Sequence, residues 1–488
     1  MKNEKKGKRI IIEWKPDKTS RIPLYTQIAD YFGERIRSGA WTNGQILPSQ
    51  RQLAQDFGVN RSTIVEAMSV LYSLGLLQTD YRGGTRVSVD AWNVMAASDI
   101  PDWRSLIDSG HFRSNQEIVQ LINRCEFDSS FLRLGTGEMS GEILPTDQIQ
   151  KALLAMSRQK LYIQYSNPLG IPELRGLLCE KLRESGIDAC QENVLVVSGA
   201  LQGLQLIASG ICRQDMNLYT DSPSYISTIN VFQSSGARIR ELPMDREGIL
   251  PWMVREEKNS IFYVIPNFQN PTGLVMSDER RGDLITYSKN HRVPIIEDDV
   301  FHDLWLDQPP GRPLKSLDRQ GNVIYVGSMS KCMSPGLRIG WVVGPEAVVQ
   351  RLSDVKMQMD YGASTLSQQL AANLFGSGLY EKTMVDIRRK LRYFRDVFFR
   401  YLDEYFRDLA EWNIPAGGFM VWVRLKGKVS SRQVFRKALK EGLLITPGIM
   451  FGTKYDNYLR LSYGYLSEEE LKRGLMRLAE IVRAAGAK

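Results

Sequence analysis

Apolar residues recur at two different spacings along the chain, and the change of spacing separates two regions. Up to about residue 90 they repeat every three or four positions in three short segments, as on one face of an amphipathic helix. Two further runs, at 76–79 and 85–89, flank a glycine-containing turn and predict a β-hairpin. The apolar positions of the three predicted helices are Leu24, Ile28, Phe32 and Ile36, then Leu53 and Phe57, then Ile64, Met68 and Leu71.

Polar residues and glycines mark where these helices begin and end. Gly39 ends the first helix, Ser49 is a typical N-cap for the second, and Gly58 closes the second. The third helix is predicted from about residue 61 to 74. The short segment at 58–60 between the second and third helices is a tight turn suited to a helix-turn-helix.

The second region has a different pattern, in which short β-branched runs alternate with helical stretches from about residue 116 onward. This alternation is typical of an α/β domain with a mainly parallel sheet covered by helices. We therefore divide the chain into a domain at 20–90, a linker at 91–115 and a domain at 116–488. The β-branched runs lie at 194–197, 261–265, 293–296, 323–326 and 339–343.

Length, charge and cysteine usage narrow the class of protein. A chain of 488 residues is too long for one ordinary core, and its net charge of +8 permits nucleic-acid binding. The five cysteines form no CxxC pair and only three histidines are present, so we expect no metal site and a reduced, cytoplasmic setting. The uncharged run at 193–212 contains Ser, Gly and Gln residues, so it predicts a buried strand, turn and helix rather than a membrane span.

Polar side chains at the start of the third helix and on the hairpin are candidates for contacts with DNA. In helix-turn-helix proteins the N-terminal end of the second helix of the motif enters the major groove, where Arg reaches guanine edges and hydroxyls reach phosphates. From the pattern alone, a simple helix cap explains the polar segment at 60–63 equally well. The candidates are Arg51, Asn60, Arg61, Ser62, Thr63, Arg82 and Gly84.

Lys331 is the strongest candidate for covalent chemistry. It follows the predicted strand at 323–326, lies among serines, and precedes Arg338 by seven residues. A lysine in a partly dry pocket loses its proton and forms a Schiff base with an aldehyde. Ser328, Ser330 and Arg338 are suited to a phosphate on the same molecule, and pyridoxal phosphate carries both groups. The common alternative is a solvent-facing lysine.

Further residues offer what the ring and phosphate of that cofactor require. Ala200 and Leu201 open a predicted helix directly after a strand, which makes a phosphate cradle. Asp298 ends a strand and could keep the pyridine nitrogen protonated. Asn270 could bind the phenolic oxygen, and Tyr225 could stack on the ring. Each has an ordinary alternative: a helix cap for Asp298, an Asn-Pro turn for Asn270 and a turn tyrosine for Tyr225.

The motifs of the two regions resemble two known families. Residues 47–51 and 58–63 match the Pro-Ser-x-Arg and Gly-Val-x-Arg-x-Thr elements of the GntR family of winged-helix repressors. From about 130 to 480, the candidate residues match the class I aminotransferases of fold type I in order and approximate spacing. The fusion resembles the MocR-type regulators. This resemblance implies a multidomain protein with an N-terminal α+β winged helix-turn-helix and a C-terminal α/β fold type I aminotransferase-like domain.

The resemblance also implies a role for each candidate residue. Lys331 is the Schiff-base lysine, Asp298 the partner of the ring nitrogen, Asn270 the ligand of the phenolic oxygen and Tyr225 the stacking ring. Arg460 resembles the arginine that binds a substrate α-carboxylate. The residues implied to hold the phosphate are Ala200, Leu201, Ser328, Ser330 and Arg338, together with Tyr165, which reaches the neighbouring subunit of a head-to-tail homodimer.

The implied function is a pyridoxal-phosphate-dependent regulator that binds a double-stranded DNA operator and senses an amino compound through external aldimine formation at Lys331. One alternative is a working aminotransferase that carries a DNA-binding domain, and another is a large domain that serves only for dimerisation. Family members usually carry a tyrosine two or three residues after the aspartate, where this chain has Val300 and Phe301. This departure argues against efficient transamination, and slow or partial transamination stays an alternative.

Overall fold

The computed structural model divides the chain into two compact units, within Met1–Gly110 and His111–Lys488. The predicted linker at 91–115 lies outside the described residues. Gly39, the predicted end of the first helix, and Arg82, on the predicted hairpin, also lie outside them. The structure describes residues 14–20, 22–38, 40–42, 44–80, 84–88, 116–256 and 258–486.

The first unit has, within its described residues, the three helices and the hairpin that the sequence predicts. The strands of the hairpin pair antiparallel, with Leu77 opposite Val87. The elements are α1 (Leu24–Arg37), α2 (Gln50–Phe57), α3 (Arg61–Ser73), β1 (Leu77–Asp80) and β2 (Gly84–Val87).

Local signals determine where the helices of this unit begin and end. The Ser49 side chain accepts a hydrogen bond from the Gln52 N–H at 3.2 Å, which caps the start of α2. Gly58 takes the left-handed conformation, with φ of 66°, and ends α2. The predicted apolar positions are buried except Leu24, which is half-buried. Trp14 also packs on this core, stacked on Tyr31 with ring centroids 4.7 Å apart, which the helical pattern did not predict.

The second unit alternates helices and strands as expected for an α/β domain. Its helices are α4 (Glu117–Glu126), α5 (Thr146–Met156), α6 (Pro172–Glu184), α7 (Ala200–Gly210), α8 (Asp278–His291), α9 (Leu314–Leu317), α10 (Glu346–Met359), α11 (Thr365–Gly376), α12 (Leu379–Phe406), α13 (Ser431–Lys440) and α14 (Glu468–Gly486). Its strands are β3 (Leu132–Arg133), β4 (Val194–Val197), β5 (Asn217–Ser222), β6 (Arg238–Asp245), β7 (Gly248–Ile249), β8 (Ser260–Val264), β9 (Ile295–Asp298), β10 (Val323–Ser328), β11 (Gly340–Val343), β12 (Ala410–Trp412), β13 (Met420–Leu425), β14 (Leu443–Leu444), β15 (Thr446–Pro447) and β16 (Tyr458–Ser462).

Among the described residues, the main sheet has eight strands in the order β4-β11-β10-β9-β8-β5-β6-β7. The strands from β10 to β6 run parallel, whereas β11 and β7 are antiparallel to their neighbours. Each predicted β-branched run contributes a strand to this sheet. Strand β9 begins two residues later than predicted, and Pro294, which has no N–H to donate, directly precedes it.

The topology brings the candidate residues to one edge of the sheet. Parallel strands place their carboxyl ends together, so the segments that follow β8, β9 and β10 meet there. Asn270 follows β8, Asp298 ends β9 and Lys331 follows β10. A second sheet, of four strands within the described residues, has the order β12-β13-β16-β15 and contributes Arg460 from β16.

The uncharged run at 193–212 forms β4, a turn and α7, as the sequence predicts. Within the described ranges, no helix combines the length and apolar character that crossing a bilayer requires. These ranges also contain no cluster of three or more His, Cys, Asp or Glu side chains suited to a metal ion.

Candidate functional site

A cavity of about 700 Å³ opens at the carboxyl edge of the main sheet. A volume of this size is typical of pockets for small molecules and cofactors. All the predicted cofactor residues except Tyr165 line the cavity. They are Lys331, Asp298, Asn270, Tyr225, Ala200, Leu201, Ser328, Ser330 and Arg338, and they are joined by Arg460.

Lys331 presents its amine to this cavity. Its Nζ donates a hydrogen bond to the backbone oxygen of Gly137 at 2.6 Å. Burial and the neighbouring guanidinium of Arg460 lower the pKa of the Lys331 ammonium to about 8, against the opposing effect of nearby carboxylates. Near neutral pH the neutral, nucleophilic fraction of this lysine is therefore much larger than that of an exposed lysine, although the ammonium still predominates.

Asp298 ends β9 with its carboxylate buried at the floor of the cavity. Burial raises the pKa of this carboxyl to about 6, although a hydrogen bond from the Tyr263 hydroxyl to Oδ2 at 2.6 Å acts in the opposite direction. Sequence reasoning missed Tyr263, which lies in the predicted strand at 261–265 and gives no local signal. Its hydroxyl reaches Asp298 only because β8 and β9 pair side by side.

Arg460 connects the second sheet to the candidate residues. Its Nη1 donates to Asn270 Oδ1 at 3.0 Å, and its Nη2 donates to the backbone oxygen of Gly135 at 2.9 Å. Its Nε is buried and, among the described residues, has no hydrogen-bond partner. Burial lowers the pKa of the guanidinium to about 10, so Arg460 stays charged at neutral pH. A buried cation with a free donor is suited to an anionic ligand.

The end of β4 and the start of α7 form a cradle for an anion. The N–H groups of Ala200 and Leu201 precede the first hydrogen bonds of α7, which Gln202 and Gly203 donate to Gly199. Arg338 lies against this turn, with Nη2 donating to the Ser198 oxygen at 2.9 Å. Its Nη1 also lies 3.4 Å from Ser330 Oγ.

These residues fit pyridoxal phosphate on chemical grounds. The cradle of N–H groups with Arg338 suits a phosphate, the neutral amine of Lys331 suits an aldehyde, and the carboxyl of Asp298 suits a pyridine nitrogen. Val300 and Phe301 also line the cavity, and neither has a hydroxyl. The Phe301 ring packs edge-on against Phe419 at 5.8 Å.

Tyr165 lies apart from the other candidate residues. Its side chain is 81% exposed, and its ring centroid lies 4.9 Å from that of Tyr361. Within one chain, the structure therefore does not bring Tyr165 to the cavity.

The polar candidates of the first unit are displayed on α2 and α3. Arg51, Asn60, Arg61 and Ser62 are exposed, and Thr63 is half-buried. Asn60 occupies the N-cap position of α3, but its side chain makes no capping hydrogen bond. Capping of α3 by the Asn60 side chain therefore does not explain why a polar residue occurs at this position.

The Arg61 guanidinium lies 3.4 Å from Gln50 Oε1 at the start of α2. Gly84 begins β2 opposite Asp80. The proposed contact residue Arg82 lies in the part of the hairpin outside the described residues.

Comparison with known protein families gives two matches. Residues 24–87 match the model for bacterial regulatory proteins of the gntR family, and residues 129–478 match the model for aminotransferase class I and II. An uncharacterized HTH-type transcriptional regulator, YdfD of Bacillus subtilis, is 41% identical over 470 residues, covering 96% of this chain and 98% of that protein. The HTH-type transcriptional regulator NorG of Staphylococcus aureus is 34% identical over 443 residues, covering 90% and 99%.

Solved structures resemble the larger unit. A kynurenine aminotransferase from Pyrococcus horikoshii, in complex with PMP, has a TM-score of 0.72 and 27% identity, covering 79% of this chain and 97% of that chain. The α-aminoadipate aminotransferase LysN from Thermus thermophilus, complexed with N-(5'-phosphopyridoxyl)-L-leucine, has the same TM-score and identity, covering 79% and 100%.

A GntR-type helix-turn-helix joined to an aminotransferase fold defines a class of DNA-binding transcription regulators, and full-length relatives carry that description. The chain belongs to the MocR-type family of this class. The fold class and the regulatory function that the sequence predicts are thereby confirmed. Pyridoxal phosphate is the cofactor that members of the aminotransferase fold use.

Proposed function

We propose that this regulator holds pyridoxal phosphate in the cavity, binds an amino compound there, and changes its affinity for operator DNA in response. The observation that carries the proposal is the convergence of Lys331, Asp298 and Arg460 on one cavity in a chain that also has a helix-turn-helix. A ligand shifts a regulator only through different affinities for its conformations, so the cavity must differ between the DNA-binding states.

Each cavity residue has a defined task in this proposal. When bound, pyridoxal phosphate supplies an aldehyde that condenses reversibly with primary amines. Lys331 offers a larger fraction of neutral amine than an exposed lysine does, because burial lowers its pKa to about 8. Asp298 holds a proton on the pyridine nitrogen, and Asn270 binds the phenolic oxygen. Tyr225, which lines the cavity beside Asp298 and Arg460, stacks on the ring.

The phosphate of the cofactor is held at the start of α7. Ala200 and Leu201 present backbone N–H groups there, and Arg338 supplies a positive charge. Ser328 and Ser330 also line the cavity, and both can add hydroxyl donors once the Ser328 hydroxyl turns from the Ile339 oxygen, to which it donates at 3.2 Å. These five residues supply the donors that a doubly charged phosphate requires.

Arg460 selects the acidic part of the effector. Its buried, charged guanidinium has a free Nε that can donate to a carboxylate. A second, parallel hydrogen bond from Nη2 requires that the carboxylate replace the contact of Nη2 with Gly135 or Thr446. An amino acid therefore fits better than a simple amine. Its amine would compete with Lys331 for the cofactor while its carboxylate meets Arg460.

The regulator acts as a head-to-tail homodimer in this proposal. Tyr165 is exposed on its own chain and is thus available to reach the phosphate of the neighbouring subunit. The two DNA-binding domains of the dimer then bind two half-sites of a double-stranded operator. The half-site spacing that they can bind depends on the conformation of the large domains. Contact with DNA is assigned to the exposed residues of α2 and α3.

The decisive experiment combines visible absorbance with DNA binding. The purified protein is loaded with pyridoxal phosphate and titrated with amino compounds, while its affinity for DNA selected from a random double-stranded library is followed. We expect one compound to cause a lasting shift of the visible band together with a change in DNA affinity. Lys331→Ala should lose both responses, whereas the exposed Lys289→Ala, which removes the same charge elsewhere, should keep them.

Two outcomes would overturn the proposal. The first is a Lys331→Ala variant that responds like the wild type, and the second is a wild-type protein that stays colourless after cofactor addition.

Transamination is the second candidate function, favoured by the same lysine and aspartate. Loss of the visible band followed by its recovery with a keto acid would place that activity first. Val300 and Phe301, which lack the usual hydroxyl, argue against efficient turnover.

A further inference from the structure

Two carboxylates line the cavity beside the groups assigned to the cofactor. Glu126 is the last residue of α4, and Glu138 follows β3. Both carboxylates raise the pKa of Lys331, and Glu126 also raises the pKa of Arg460, against the larger effects of burial. The two acidic side chains therefore act electrostatically on the groups that would hold the amine and the carboxylate of an effector.

Backbone geometry places Glu138 close to both groups. Its neighbour Gly137 accepts the hydrogen bond from Lys331 Nζ at 2.6 Å. A β-carbon at position 137 would lie 3.9 Å from Lys331 Nζ and 4.0 Å from Arg460 Nη2. Glu138 is thus one residue away from the point where the two basic side chains come together.

Neither carboxylate is fully neutralised by the protein. Glu126 accepts a hydrogen bond from the Thr136 hydroxyl, but within the described residues it forms no ion pair with a Lys or Arg. Glu138 lies 3.9 Å from Arg133, a long contact for an ion pair. Burial, followed by repulsion from Glu126, raises the pKa of Glu138. Two half-buried acids that line one cavity and repel each other favour a bound cation, because a cation offsets that repulsion.

The charges of the cavity can be divided between cofactor and effector. Arg338 is assigned to the phosphate and Asp298 to the ring nitrogen, while Lys331 engages the aldehyde. Arg460, Glu126 and Glu138 remain. The carboxylate of an amino acid compensates Arg460, and Lys331, once the effector's amine replaces it on the aldehyde, supplies at most one positive charge to the two glutamates. One negative charge therefore still requires a positive charge from the ligand.

We propose that the effector is an amino acid with a second, cationic end, of the ornithine and lysine class, whose distal ammonium binds between Glu126 and Glu138. This inference rests on the proposed function and specifies its ligand. Its methylene chain would lie along the apolar lining supplied by Ile122, Met420 and Phe451. An acidic side chain would instead meet two like charges.

Pairs of amino acids of matched shape test the charge directly. The loaded protein is titrated with L-lysine and with L-norleucine, and then with L-ornithine and with L-norvaline, while visible absorbance and DNA affinity are recorded. We expect the better cationic member to bind at least about tenfold more tightly than its uncharged partner, a ratio that one close charge pair supplies. L-Glutamate should bind more weakly than either uncharged compound.

Three variants link that preference to the two glutamates. Glu126→Gln and Glu138→Gln keep the side-chain shape and should each reduce the ratio of lysine to norleucine affinity by severalfold. Glu142→Gln removes an exposed carboxylate four residues further on and should leave the ratio unchanged. The wild-type comparison of the two ligands stands by itself if a variant does not fold.

The outcomes separate this inference from the proposed function. Equal affinity for lysine and norleucine, or an unchanged ratio in both Gln variants, overturns the inference while the sensor function stands. If no amino compound shifts the band or the DNA affinity, the proposed function fails and the inference fails with it.

Discussion

At the scale of single residues, burial in the cavity shifts the pKa values of ionisable groups towards neutrality, which makes their charged forms costly. Burial raises the pKa of Asp298 to about 6 and lowers the pKa of Lys331 to about 8. Holding a charge in such a place lowers the free energy of unfolding unless a ligand compensates it. The cavity residues therefore favour binding at the expense of the stability of the cofactor-free protein.

The substitution Asp298→Asn tests whether a residue that favours cofactor binding lowers the stability of the cofactor-free protein. Because the folded pKa of Asp298 is raised above the ordinary value of 3.8, the unfolded chain loses this proton first as pH rises, and stability falls between about pH 4 and pH 6. The amide should raise the free energy of unfolding of the cofactor-free protein at pH 7.5 by about 2–3 kcal/mol, with no gain below pH 4. Denaturant titrations at both pH values measure this, and cofactor affinity should fall in the same variant. An unchanged stability at pH 7.5 would contradict the assigned burial cost.

At the scale of secondary-structure elements, the turn between β4 and α7 combines a backbone requirement with a close contact. Gly199 has φ of 86°, and a β-carbon there would lie 2.4 Å from the Arg338 guanidinium. A side chain at this position would both strain the backbone and displace the arginine from the phosphate cradle.

Gly199→Ala should therefore weaken the affinity for pyridoxal phosphate at least about tenfold, since it moves a charged ligand of the phosphate. Gly186→Ala is the matched control, because Gly186 has a similar φ of 81° and its nearest neighbour, Ser316, would lie 3.5 Å away. Both changes place a β-carbon at a positive φ and should destabilise the fold by about 1–2 kcal/mol for that reason, and Gly199→Ala by more, because it also displaces Arg338. Absorbance titration with the cofactor separates them, and equal loss of affinity in the two variants would count against the cradle.

Helix α3 carries the second prediction at this scale. Arg61 is exposed at its N-terminal end, where DNA-reading helices contact the major groove. Arg61→Ala should weaken DNA binding, and if the residue contacts a phosphate the slope of log affinity against log salt should decrease by about one. Fluorescence anisotropy at several salt concentrations measures both quantities. Lys289→Ala, which removes a charge from the large unit, should change neither one.

At the scale of the whole molecule, the site that we propose is complete only in a dimer. Tyr165 lies outside the cavity of its own chain, and Leu201 at the phosphate cradle is 44% exposed. Mixing Tyr165→Phe and Lys331→Ala subunits tests this arrangement. A mixed dimer should have one intact site, so that about one quarter of all sites recover the absorbance and affinity of the wild type after random exchange. No recovery would mean that Tyr165 acts within its own chain or not at all.

The sequence predicted the elements because the signals that specify them are local. The apolar spacing of α1 to α3, the cap at Ser49 and the left-handed Gly58 depend on residues within one or two turns. The order of Asn270, Asp298 and Lys331 after consecutive strands likewise gave the expected edge of the sheet, because parallel strands share a direction. The predicted start of strand β9 is wrong by two residues, because Pro294 has no N–H to donate to the sheet.

Only the tertiary structure determined which side chains meet across distant segments. Tyr263 binds Asp298 because α8 connects β8 to β9 as neighbours, and Arg460 reaches Asn270 from a different sheet. Glu126 and Glu138 come to the same cavity from either side of β3. No spacing along the chain encodes these contacts, since they depend on how sheets and helices pack rather than on the neighbours of each residue. The chemistry of the cofactor site could thus be predicted from residue types. The charge at the distal end of the effector could be inferred only from the residues that the fold brings together around the cavity.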